Sequence, residues 1–173
     1  ARRAITPAIR VELAARKHQI LSFLRRREAV NEDGPLSYAQ GRLWFLEQLK
    51  HGSAPYVLSM AQHIQGRLNT EALRLAFNDL VRRHSILRTT FPQISGVPLQ
   101  RVRAALELDL PVIDLRDHDP QQRQVEALRR ARLDAQEPFN LADGPLLRAR
   151  LYLLDEDCHL LLIAAHHMVA DGW

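Results

Sequence analysis

Apolar residues recur at intervals of three and four in four stretches of the chain, and alternate or run together between them. From Ala8 to Val30, the residues Val11, Ala14, Ala15, His18, Leu21 and Leu24 share one face. Arg25, Arg26 and Arg27 end the stretch in charge, which predicts an amphipathic helix with a basic last turn. "NEDGP" (31–35) reads as a linker or turn. Next, "LSYAQGRLWFLEQL" offers Ser37 as a cap and spaces Ala39, Leu43, Leu46 and Leu49 for a short helix. Asn69 caps a third helix, whose stripe is Leu73, Ala76, Phe77, Leu80 and Val81. A fourth helix has Asp119 as cap, Pro120 in its first turn and Pro138 beyond its end.

Strand signals fill the intervals. "YVLSMAQHIQG" alternates imperfectly, and "LRTTFPQ", "PLQRVRA" and "LELDLPVIDL" read as short extended pieces. "PLLRARLYLL" and "CHLLLIAAHH" read as two strands joined by the polar turn "DEDC". Helices and strands are interspersed without repeats, which makes the class α/β or α+β.

Composition changes this picture little. At 173 residues, 46% hydrophobic and 25% charged, the chain has the make-up of one globular domain. Its net charge of +4 is too small to call for nucleic acid, and all its basic residues except Lys17 and Lys50 are arginine. Cys158 is the only cysteine and is expected in the core, so no internal disulfide is possible. The first thirty residues contain no apolar run long enough for a signal or membrane segment. The expectation is a soluble, cytoplasmic protein with no membrane partner. The chain begins with Ala1 rather than methionine, as a piece cut from something longer would.

The chemistry concentrates in the last stretch, "LLLIAAHHMVADGW" (160–173). Side chains alternate along a strand, so Leu160, Leu162, Ala164 and His166 share one face and Leu161, Ile163, Ala165 and His167 the other. Two histidines on opposite faces cannot both bind one metal, and no cysteine or histidine stands nearby at zinc-like spacing, so no metal is expected. The run before them is apolar on both faces, as in a strand covered on each side. A histidine at its end sits where a tuned acid or base is often held, but a core histidine and a turn aspartate fit the spacing equally. The chain has no G-x-S-x-G, G-x-G-x-x-G or G-x-x-x-x-G-K-[ST] sequence, which points an enzyme here toward direct transfer.

Three ordered motifs then resemble one family, the condensation domains of nonribosomal peptide synthetases. "HHMVADG" (166–172) matches the family's HHxxxDG, and Trp173 continues it. "SYAQGRLWFL" (37–46) is similar to SxAQxRLWxL, and "RHSILRTTF" (83–91) to RHExLRTxF. Ser85 stands where the family commonly has glutamate, and Ala165 where methionine often precedes the histidines.

The resemblance implies one lobe of a chloramphenicol-acetyltransferase-like fold, an α+β sandwich. Residues 31–173 would be the N-terminal lobe and residues 1–30 a linker or docking helix, with a second, C-terminal lobe required for activity. It implies an acyltransferase that passes a carrier-bound acyl or peptidyl thioester to a carrier-bound aminoacyl amine, in secondary metabolism of the antibiotic-forming kind. The resemblance makes His167 the catalytic histidine, while His166, facing away, supports the fold. Asp171 becomes a structural carboxylate paired with an arginine, Arg83 before Arg88, because an unpaired buried charge is costly. Gly172 would let the backbone approach and offer an N–H to an oxyanion. Gln40, Arg42, Trp44, His84 and Trp173 are expected in support, with Gln40 and Trp44 sharing a helix face. No cofactor is bound directly, because the substrates ride on phosphopantetheine arms. The implied partners are the donor and acceptor carrier domains and an adenylation domain. Epimerization or ester-forming relatives, and a carrier-binding module without turnover, are the alternatives.

Overall fold

The structure is a computed structural model that describes residues 11–12, 14–19, 33–49 and 56–170. Two sheets carry the fold. In the smaller, β1 (Asp33–Pro35) and β3 (Thr89–Thr90) flank β5 (Val97–Val102), with β4 (Gln93–Ile94) also paired to β5, all antiparallel. The larger runs in the order β2 (Val57–Gln65), β8 (Cys158–His166), β7 (Leu147–Asp155) and β6 (Val112–Asp114). Its pairs are antiparallel except β6 with β7.

Three helices pack around these strands: α1 (Tyr38–Leu49), α2 (Thr70–Arg83) and α3 (Pro120–Gln136). The caps foreseen for α2 and α3 are made: Asn69 accepts from the Ala72 N–H, Asp119 accepts from the Gln121 N–H, and Pro120 opens α3. A 3₁₀ turn, Ser85–Arg88, then leads from α2 into β3.

The two faces of the β7–β8 hairpin meet different helices. Leu147, Ala149, Leu151, Leu161 and Ala165 form one core with Phe77 and Val81 of α2. Tyr152, Leu160 and Leu162 face Ala127 and Ala131 of α3, two alanines that let helix and sheet approach closely. Each fully buried leucine contributes about 1.5–3 kcal/mol, so this doubly covered hairpin carries much of the stability. A third cluster gathers Phe91, Phe139, Leu146, Ala164, Met168 and Val169 where β8 ends, and Trp44 of α1 packs against it.

Several expectations need correction. The last three residues of the "NEDGP" segment form β1, because their backbone pairs with Leu99–Arg101 and Arg101 clasps Asp33 at 2.5 Å. Of "LELDLPVIDL" only Val112–Asp114 pairs as a strand. Leu108 and Leu110 are buried instead. Asn78 of α2 accepts from the Leu108 N–H and donates to its carbonyl, both at 2.9 Å, and so replaces a ladder. That clamp turns Asn78 toward the protein and leaves Ala76 and Leu80 of the foreseen stripe exposed. Cys158 is half-buried, and its Sγ accepts from Gln65. The described residues between 11 and 19 are largely helical, but every one is exposed, so the apolar face foreseen there has no cover among the described residues. Leu21, Leu24 and Arg25–Arg27 lie outside the described residues.

Candidate active site

The site is built where β8 runs out. The His166 N–H donates to the Leu146 carbonyl at 2.9 Å and the His167 N–H to the Tyr56 carbonyl at 2.8 Å, so neighbouring chain holds both histidine backbones. The chain then turns. The N–H groups of Val169 (2.9 Å) and Ala170 (3.2 Å) both return to the His166 carbonyl.

The two imidazoles have different surroundings. His166 is 1% exposed. Its Nδ1 accepts from the Met168 N–H at 3.2 Å, which leaves the proton of the neutral ring on Nε2. Burial, and secondarily the charge of His167, push its pKa down to about 4. Glu47 of α1 brings Oε2 to 3.8 Å from Nε2, beyond hydrogen-bond reach, so with a neutral ring this is a polar contact rather than an ion pair. Neither Glu47 nor this contact was visible in the sequence, where Glu47 is one more polar residue of a helix. His167 is half-buried in the turn just past the strand end. β8 ends at His166, so the strand alternation expected to separate the two rings stops one residue short of His167, and His166 is the one committed to the turn behind the strand.

Phe139 and His166 meet in a T-shaped pair, with ring centroids 6.3 Å apart and planes at 85°. Arg148 stacks on Phe139 with its guanidinium carbon 4.5 Å from the ring centroid. Gly144, at φ 64°, shapes the loop between these two residues, where a Cβ would come within 3.0 Å of Thr90.

The first motif resolves into local chemistry. Ser37 Oγ accepts from the Gln40 N–H at 3.2 Å, and Gln40 Oε1 accepts from the Ser37 N–H at 2.8 Å. This is a reciprocal capping box at the start of α1. Gln40 closes the helix end, and Trp44, four residues on, packs with Leu43 against the cluster beside His166. Arg42 is exposed.

The second motif divides likewise. Arg83 is exposed in the last turn of α2, and the exposed His84 ends that helix with its N–H on the Leu80 carbonyl at 2.9 Å. Arg88 directs its guanidinium to the carbonyls of Val81 (3.2 Å), Arg103 and Ala104 (3.4 Å), tying α2 to the end of β5. Asp171, Gly172 and Trp173 lie outside the described residues, and so does the pairing expected of Asp171 with Arg83 or Arg88. Among the described residues, no three His, Cys, Asp or Glu side chains are grouped to hold a metal ion, and no helix is long and apolar enough to cross a membrane.

Comparison with known proteins bears directly on this site. A family model described as "Condensation domain" matches residues 30–173. Phosphinothricin tripeptide synthetase PhsC from Streptomyces viridochromogenes is 45% identical over 145 residues, covering 83% of this chain and 13% of the synthetase. Chondramide synthase cmdD from Chondromyces crocatus is 43% identical over 139 residues, covering 80% of this chain and 4% of the synthase. Among solved structures, the starter condensation domain of rhizomide synthetase RzmA superposes with a TM-score of 0.73 at 27% identity, over 82% of this chain and 34% of that one. The X-domain solved with OxyB from teicoplanin biosynthesis gives 0.73 at 29% identity, over 82% of this chain and 29% of that one. The chain thus spans about a third of these solved structures and a small part of the synthetases.

Proposed function

The chain belongs to the condensation-domain family of nonribosomal peptide synthetases, and from that premise we propose that it forms the N-terminal lobe of a peptide-bond-forming acyltransferase. Its fold is the mixed α/β lobe of that chloramphenicol-acetyltransferase-like family. In the proposed reaction the amine of a carrier-bound aminoacyl thioester attacks the carbonyl carbon of a carrier-bound acyl or peptidyl thioester. A C–N bond forms, the C–S bond breaks, and the amine's proton leaves through His167 to the departing thiolate. Both substrates arrive on phosphopantetheine arms, and a second lobe and an adenylation domain complete the machine. The lobe alone is inactive in this reading.

One observation supports the assignment most. Of two adjacent histidines at the end of the central strand, His166 is buried and engaged by a backbone N–H, while His167 stands half-buried just beyond the strand. An α-amine of pKa near 7.7–8.0 is already roughly a tenth neutral at pH 7, so prior deprotonation is a minor problem. Holding amine and thioester together contributes on the order of 7–11 kcal/mol, against ~10²- to 10⁴-fold from a general base. Positioning is therefore the larger part of catalysis, and His167 orients the amine and takes its proton as the tetrahedral centre forms. We assign Asp171 the arginine-paired supporting role, and Gly172 the oxyanion N–H, that the family motif implies for these positions.

The test is His167→Ala in the two-lobed enzyme with both carriers loaded. Peptide formation falls by ~10²- to 10⁴-fold while carrier binding is retained. Full activity in that variant overturns the catalytic assignment. The likeness to a domain solved in complex with OxyB supplies the second reading, a binding module. Carrier binding without any transfer by the unmutated enzyme selects it.

A further inference from the structure

A largely covered arginine beside a catalytic turn needs a physical reason. Arg148 lies on β7 with its side chain 18% exposed, and burial pushes its pKa down. An apolar side chain there would carry no such desolvation cost. The guanidinium is instead fully employed. It donates to the carbonyls of Asp134 (2.8 Å), Glu137 (3.1 Å) and Pro138 (3.5 Å), where α3 ends, and its Nε lies 3.6 Å from the Glu137 carboxylate. A cation on orphan carbonyls at a helix C-terminus is favourable for both charge and hydrogen bonding.

The consequence reaches the site in two contacts. By stapling residues 134–138 to β7 and stacking on the next ring, Arg148 fixes where Phe139 sits. Phe139 then packs in a T-shaped contact with the His166 ring. The His166 ring in turn accepts the Met168 N–H, and its carbonyl accepts those of Val169 and Ala170. We infer that Arg148 is a positioning residue which, through Phe139, holds the His166 ring and thereby the turn that carries His167.

The inference rests on the catalytic reading of His167 for its consequence in turnover, but its structural core is testable without turnover. The 173-residue chain carrying ¹⁵N-labelled histidine shows His166 as the Nε2–H tautomer, with slow exchange of the Met168 amide. Arg148→Lys keeps the charge but loses the planar stack and the forked donors. Phe139→Leu keeps apolar bulk but loses the aromatic ring and with it the T-shaped contact. Both variants give a mixed His166 tautomer and at least roughly tenfold faster Met168 exchange, with unchanged far-ultraviolet circular dichroism. In the two-lobed enzyme kcat falls about 10- to 100-fold with KM unchanged, because ångström-scale misplacement of a reacting group costs that much. An unchanged His166 spectrum and Met168 exchange in the folded variants overturn the inference, and so does a rise in KM at constant kcat. If Arg148→Lys does not fold, Phe139→Leu decides alone. Absence of peptide formation by the unmutated enzyme would count against the proposed function and leave the tautomer result standing.

Discussion

Strands β2 and β8 are nine residues each and pair residue for residue from Val57–His166 to Gln65–Cys158. They share one ladder, yet their burial is opposite. In β8, Leu160, Leu162 and Ala164 are at most 2% exposed, whereas β2 exposes every residue from Ser59 to His63. The difference is cover. β8 has β7 on its other edge, the α2 core on one face and α3 on the other, while β2 is the sheet edge. α3 also approaches β2, but a groove of about 330 Å³ lined by Val57, Ser59 and Ala61 and by Leu128, Arg132 and Ala135 of α3 leaves the small side chains of β2 open. Backbone pairing places a strand, and side-chain cover stabilises it.

The largest effect should come from deleting cover on one strand and comparing it with the other. Leu160→Ala, at a site with no exposed surface, costs about 2–5 kcal/mol. Met60→Ala, on a side chain 54% exposed in β2, stays within about 0.5 kcal/mol. Urea unfolding of the two variants measures both, and equal losses would break the comparison.

Acid sharpens the same contrast, because β8 ends in a buried titratable ring. The folded-state pKa of His166 is depressed to about 4 from an ordinary 6.5. Between those values the unfolded chain binds the proton and the folded chain does not. Stability is therefore complete above about pH 6.5 and falls as the pH drops toward 4, with a slope approaching about 1.4 kcal/mol per pH unit. Carboxylates held down by arginine partners, Asp114 and Glu126 at about 2, add their losses at lower pH. Urea midpoints followed from about pH 7 to about pH 4.5 should show this slope, and His166→Asn should flatten it.

The contrast also explains what the sequence disclosed. The unbroken apolar run of β8 announces a strand covered on both faces, and the burial of His166 at its end follows from that cover. The caps Asn69 and Asp119 were legible because a cap acts on residues two or three places away. Long-range replacements for local rules were not. Asn78 reads as a polar interruption of α2, yet it clamps Leu108 thirty residues away. Asp33–Pro35 lacks any strand signal, since its order comes from β5 and Arg101. Glu47 and Phe139 come to His166 from distant parts of the chain, and Arg148 reaches it only through Phe139, so the folded protein alone assembles them.

The smallest effect separates hydrogen bonding from cover within a single motif. Ser37 is exposed and Gln40 only half-buried, so their box satisfies two N–H groups that water would otherwise reach. The poor cover of β2 leads to the same expectation: bonds made in reach of water stabilise modestly. Gln40→Ala should cost about 0.5–1 kcal/mol, near the lower range for losing a helix cap. Gln40→Glu keeps the acceptor and adds a favourable charge at the start of α1, so it should be neutral or gain a few tenths of a kcal/mol. Thermal unfolding of the two variants separates them. A loss of several kcal/mol in Gln40→Glu would mean that the neutral amide is needed beyond capping, and would return Gln40 to the neighbourhood of the active site.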